Sequence, residues 1–141
     1  MRKRWSGFSL VELIIALAVL SILGSIAIPG YMRYVASAKA NAGRAELSAL
    51  QISFDSAIVA GRATPSLSDI GLPATSSLCT TSLTSTEDGG AVLACALINP
   101  PYLINGGTIS LIRSGATGAW TCQVNAAIGT TYAPNGCTVG G

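Results

Sequence analysis

At 141 residues and 14.2 kDa the chain has the size of one ordinary domain, which excludes a multidomain enzyme. Half of the residues are hydrophobic, 10% are charged and histidine is absent. Disorder is thereby excluded, and so are the commonest general base, the commonest zinc ligand and every Ser-His or Cys-His dyad. The formal charge is +2, but Arg2, Lys3 and Arg4 supply three of the eight cations. Beyond residue 7, five basic side chains stand against six acidic ones, so the basic character belongs to the extreme N-terminus and not to a nucleic-acid-binding face.

The first element in chain order is an apolar run. Residues 8–28 carry a single charge, Glu12. As a helix they extend about 31 Å, close to the roughly 30 Å hydrocarbon core of a bilayer. The basic residues ahead of them predict insertion with the N-terminus in the cytoplasm. A cleavable secretory signal is the competing reading; it leaves an ordinary exported binding protein that starts near residue 30. Two features oppose it. A carboxylate in an apolar span costs about 2.5–3.5 kcal/mol at mid-membrane, and a signal sequence gains nothing from it. No small-x-small cleavage site precedes a change in composition, and the helical pattern instead runs through Pro29. Glu12 therefore asks for a cationic partner, unless it snorkels to the headgroups.

Gly7-Phe8-Ser9-Leu10-Val11-Glu12-Leu13 follows a short basic leader and precedes sixteen uncharged residues up to Pro29. This stretch resembles the N-terminus of a type IV prepilin. The resemblance implies cleavage after Gly7 by a prepilin peptidase and methylation of the new Phe8 amine. It also implies that Glu12 of one subunit pairs with the Phe8 amine of the next. A glycine before the cut lets extended backbone enter a narrow cleft without a side-chain clash. In a filament core of low dielectric the pair acts as a register device more than as net stabilisation.

From Tyr31 to Ala60 the helical pattern becomes amphipathic. Leu47, Leu50, Phe54 and Ile58 recur at steps of three, four and four, with Arg44, Glu46 and Asp55 off that stripe, and Gly61 is placed as a C-terminal cap. One helix over 8–60 reaches roughly 80 Å, too long for a 14 kDa globule, so its N-terminal half must project. Pro29 predicts a kink or local melting. Gly24 and Pro29 also match the resemblance, which implies a helix unwound between them in the filament.

Residues 61–90 read as a connector, because 18 of the 30 are Ser, Thr, Gly or Pro. Three strands follow, Ala91–Ile98, Thr108–Arg113 and Ala119–Asn125, the last with Trp120, Cys122 and Val124 on one face. Asn105-Gly106-Gly107 and Ser114-Gly115 read as the turns between them. Residues 126–141 show no periodicity and read as a loop. The expected fold is α+β: a long N-terminal helix, half membrane-spanning and half amphipathic, packed on a small antiparallel sheet with a disulfide-bounded C-terminal loop. The expected divisions are a leader at 1–7, a transmembrane or filament-core helix at 8–30, and a soluble head at 31–141.

Cysteines stand at 79, 95, 122 and 137. Without histidine or a Cys-x-x-Cys pair they do not form a zinc site, and a body outside the cytoplasm permits disulfides. Of the three pairings, the sequential one, Cys79–Cys95 and Cys122–Cys137, closes two loops of similar size and clips an irregular segment to a strand each time. Trp120-Thr121-Cys122 with Tyr132-Ala133-Pro134-Asn135-Gly136-Cys137 also resembles the disulfide-bounded C-terminal loop of type IVa pilins. The Cys79–Cys95 bond departs from pilins that have a single disulfide.

The reading is a structural pilus subunit with no catalytic residue, cofactor or metal. The resemblance implies other pilin copies, prepilin peptidase, the inner-membrane assembly machinery and, before assembly, the membrane as partners. It places the chain in the inner membrane and then in an extracellular filament serving adhesion, twitching motility or DNA uptake. The rivals are a minor pilin acting as a DNA receptor in natural transformation, and a type II secretion pseudopilin. Arg33, Lys39, Arg44, Arg62 and Arg113 are the only cations left for DNA after cleavage. Asp55, Asp69, Glu87 and Asp88 read as surface or turn acids, with no nucleophile-base pair among them.

Overall fold

The computed structural model of the chain describes residues 7–71 and 73–140. The expected leader therefore lies outside the described residues, apart from Gly7. One helix, α1, runs from Leu10 to Val59, about 75 Å at 1.5 Å per residue. It starts at a capping box: the Ser9 hydroxyl accepts from the helix's first turn, and the Ser9 amide donates to the Glu12 carboxylate at 3.2 Å. It ends at Gly61, whose φ of +89° suits a residue without Cβ. The Gly61 amide bonds to the Ile58 carbonyl and the Arg62 amide to that of Ala57, a Schellman closure.

The two halves of α1 differ completely in burial. From Leu10 to Gly30 every residue is exposed except half-buried Gly24. From Ala36 the helix buries Ala36, Ala40, Gly43, Leu47, Leu50 and Phe54, a stripe at alternating steps of four and three. The sequence stripe was thus three members short at its start, because Ala and Gly do not stand out as core residues. Ile58, at its other end, is only half-buried.

This stripe lies against a five-stranded sheet: β1 Cys79–Ser85, β2 Ala91–Leu97, β3 Thr108–Arg113, β4 Trp120–Val124 and β5 Cys137–Val139. The spatial order follows the chain order, each neighbour antiparallel except β5, which runs parallel to β4. Register brings Leu93 opposite Leu111 and Leu111 opposite Cys122, while Cys95 faces Ile109 and Ile109 faces Val124. These buried residues form one sheet face, and the helix stripe covers it.

Two segments differ from the sequence reading. The supposed connector contains β1: its Ser/Thr richness hid a strand in which β-branched Thr80, Thr81 and Thr84 suit a half-buried edge. The supposed C-terminal loop contains a one-turn helix, α2, Gly129–Tyr132, and then β5. A short 3₁₀ turn, Tyr102–Ile104, links β2 to β3 behind Pro100 and Pro101.

Both sequential disulfides are present. Cys79 lies diagonally across from Cys95, whose direct partner is Thr81, whereas Cys122 and Cys137 are direct partners on β4 and β5. The bonds therefore join strand to strand, not an irregular segment to a strand as the sequence suggested.

Candidate functional site

Three regions of the fold hold the residues singled out in the sequence. At the N-terminus, Phe8 is exposed and Glu12 stands in the first turn of α1. There the carboxylate meets the positive end of the helix dipole and the Ser9 amide, so the single chain supplies it with a backbone donor of its own. The Ser9-x-x-Glu12 spacing carries this signal, and the sequence reading missed it.

Further along, α1 passes through Gly24 and Pro29 without interruption. In the single chain this segment is helical, although the missing proline N–H leaves the Ser25 carbonyl without its usual donor. Around it, Leu10 to Ile28 present an apolar surface on all sides. Its window is long and apolar enough to cross a membrane.

The third region is the C-terminal loop closed by Cys122–Cys137. Trp120 packs edge-on against Phe54 with ring centroids 5.8 Å apart and donates from Nε1 to Asp55 at 3.0 Å. Asp55 also accepts from Arg113 Nε at 2.9 Å, and Arg113 reaches the Gly89 carbonyl through Nη1 at 2.6 Å. Asp55 is thus a clamp between α1 and the β3–β4 hairpin, where the sequence reading had a surface acid. Asp69 and Asp88 are turn acids, as read. The Ser66 hydroxyl and amide and the Arg62 guanidinium hold the Asp69 carboxyl below its ordinary pKa. The Thr86 hydroxyl and the Gly90 amide do the same for Asp88.

Beside the loop lies a cleft of about 410 Å³ lined by Arg44, Gln51, Trp120, Thr121 and Thr138, among others. Among the described residues no cluster of acids and cysteines is arranged to hold a metal ion.

The family model described as Pilin (bacterial filament) matches residues 36–138. The chain belongs to the pilin family. A second model, described as the prokaryotic N-terminal methylation motif, matches residues 2–28. Among known proteins, this pilin is 31% identical to Fimbrial protein Q of Moraxella bovis, with 93% of this chain and 96% of that one covered. It is 32% identical to a fimbrial protein of Pseudomonas aeruginosa, covering 96% and 97% of the two chains. A type IV major alpha-pilin of Moraxella bovis is 29% identical over 93% and 95%.

Within the pilin head the cations are dispersed, and most of them are engaged. Arg62 pairs with Asp69 and Arg113 with Asp55, and Arg44 is half-buried in the cleft. Arg33 is exposed, and half-buried Lys39 donates to the Asn99 carbonyl.

Proposed function

We propose that this pilin is a structural subunit of a type IV pilus. The observation that carries the reading is the division of α1 at about residue 35, an exposed apolar half ahead of a half buried in a disulfide-linked head. The near-full-length likeness to fimbrial proteins and a type IV major pilin supports the same reading. An apolar helix with no partner in its own chain has two homes, a bilayer and a bundle of identical helices. Small residues at Ala16, Ala18, Ser21, Gly24 and Ala27 let such helices approach closely.

On this reading the precursor sits in the inner membrane with its N-terminus cytoplasmic. A prepilin peptidase cuts after Gly7, the Phe8 amine is methylated, and the assembly machinery draws the helix into the filament core. Residues 8–30 then form the core and 31–141 the surface. Glu12 exchanges its Ser9 bond for the Phe8 amine of a neighbour, which fixes register. Gly24 to Pro29 is the weakest stretch of the helix and the place where it opens in the filament. Adhesion, twitching motility and DNA uptake are the uses such a filament serves.

Electron microscopy of purified surface filaments, with mass spectrometry of their main subunit, tests the reading. The expected result is filaments whose subunit begins at N-methylated Phe8. A subunit that retains residues 1–7, or a free monomer starting near residue 30, overturns it. Glu12→Ala is expected to insert normally into membranes and to form no filaments; normal filaments from that variant remove the register role.

A further inference from the structure

We infer that the foot of the head is a headgroup-binding rim, which seats the subunit on the anionic phospholipid surface of the membrane before assembly. This inference rests on the membrane-inserted precursor proposed above. If α1 crosses the hydrocarbon layer over residues 8–28, Tyr31 lies about 4 Å beyond its edge, within the headgroup layer, and Tyr34 about 9 Å beyond it, just past that layer's outer boundary. Both are strongly exposed, at 69% and 71%, and the head adds Tyr102 at 69% from the β2–β3 connection. Tyr rings carry an apolar body and a polar tip, which suits this boundary and no other part of the bilayer.

The head is tied to the adjoining part of α1 through a specific contact. Lys39 Nζ donates to the Asn99 carbonyl at 3.4 Å, and Asn99 holds a left-handed φ of +46° that turns the chain into Pro100 and Pro101. Between this turn and Tyr31, Met32 and Val35 lies a largely apolar cavity of about 350 Å³. Tyr102 directly follows the two prolines in the chain.

Charge on the rim has one sign. From Leu13 to Ala45 the sequence holds Arg33, Lys39 and Arg44 and no acid, and residues 89–112 hold no charge at all. The acids begin at Glu46, which accepts from the Ser76 hydroxyl, and Asp55 lies about 33 Å along the helix from Arg33. A surface of lipid phosphates thus meets Arg33 and the tyrosines, with Lys39 one to two turns further out and no opposing carboxylate, and the rim is continuous with the helix already in the bilayer.

Hydrogen–deuterium exchange on the full chain in nanodiscs tests the inference. Neutral phosphatidylcholine discs are compared with discs holding about 30% phosphatidylglycerol. The amides of Tyr102–Asn105 are expected to exchange about tenfold more slowly in the anionic discs. The difference disappears with Arg33→Gln plus Lys39→Gln, or when salt is raised to about 0.5 M. Arg33→Gln alone, at an exposed site, halves the effect on a logarithmic scale if Lys39→Gln disturbs the Asn99 turn. Equal exchange in the two lipids overturns the inference, as does protection that arises only on polymerisation, which assigns the rim to a neighbouring copy. Co-flotation of the chain with both lipids keeps the outcome separate: failure to insert strikes the membrane-precursor reading itself.

Discussion

Single atoms set the spacing between helix and sheet. A Cβ placed on Gly43 would lie 3.0 Å from methyl carbons of both Leu97 and Ile109 and 3.3 Å from the Cys95 sulfur. Glycine there lets α1 approach the centre of the sheet, despite its poor helix propensity. Gly43→Val is expected to lower the unfolding free energy of the detergent-solubilised chain by about 1–3 kcal/mol, measured by denaturant titration. Gly30→Ala, where nothing lies within 4 Å, is expected to show no such loss. If the valine variant matches the parent, the close approach does not limit packing. This contact was illegible in the sequence because a buried glycine in a helix looks the same as a flexible one; only the partner residues, more than fifty positions away, give it meaning. Glu12 was legible as an anomaly in an apolar field, whereas its Ser9 bond needed the capping-box spacing to be noticed.

Elements with strong periodicity were read well, and those without it were not. α1, β2, β3 and β4 fall within two residues of expectation at most boundaries, because their patterns of 3.6 and 2 follow directly from burying one face. β1 and β5 sit at the two edges of the sheet, where burial on one face is incomplete and the alternation fades. Both edges are tied to their inner neighbours by a disulfide, which compensates for sparse apolar contact. Each bond closes a loop of 15 or 16 residues. Replacing Cys79 and Cys95 together by serine is expected to cost about 3 kcal/mol in denaturant unfolding, and replacing Cys122 and Cys137 together about the same. Losses below about 1 kcal/mol for either pair put the stabilising role of that edge in doubt.

Across the whole molecule every acidic side chain but Glu12 belongs to the head, from Glu46 onward. Asp69 and Asp88 have folded pKa values below their ordinary ones, so their contribution is present above about pH 4 and is lost as pH falls through the folded values. Asp69→Asn with Asp88→Asn is expected to melt slightly lower than the parent at pH 7, with the gap narrowing as pH falls below the ordinary carboxylate range of about 4. A gap of equal size above and below that range means that these carboxylates do not contribute through their charge.

The division of α1 also bears on how a subunit can be reused. The fully buried stripe starts only at Ala36, so the head's core owes nothing to the apolar residues from Leu10 to Ile28. On the proposed reading, sliding that oily stem out of lipid and into a bundle of its siblings would leave every strand and both covalent ties of the head as they were. Were such a fibre dismantled, it would return intact, ready-folded units to a reservoir, each cycle requiring transport work but no refolding.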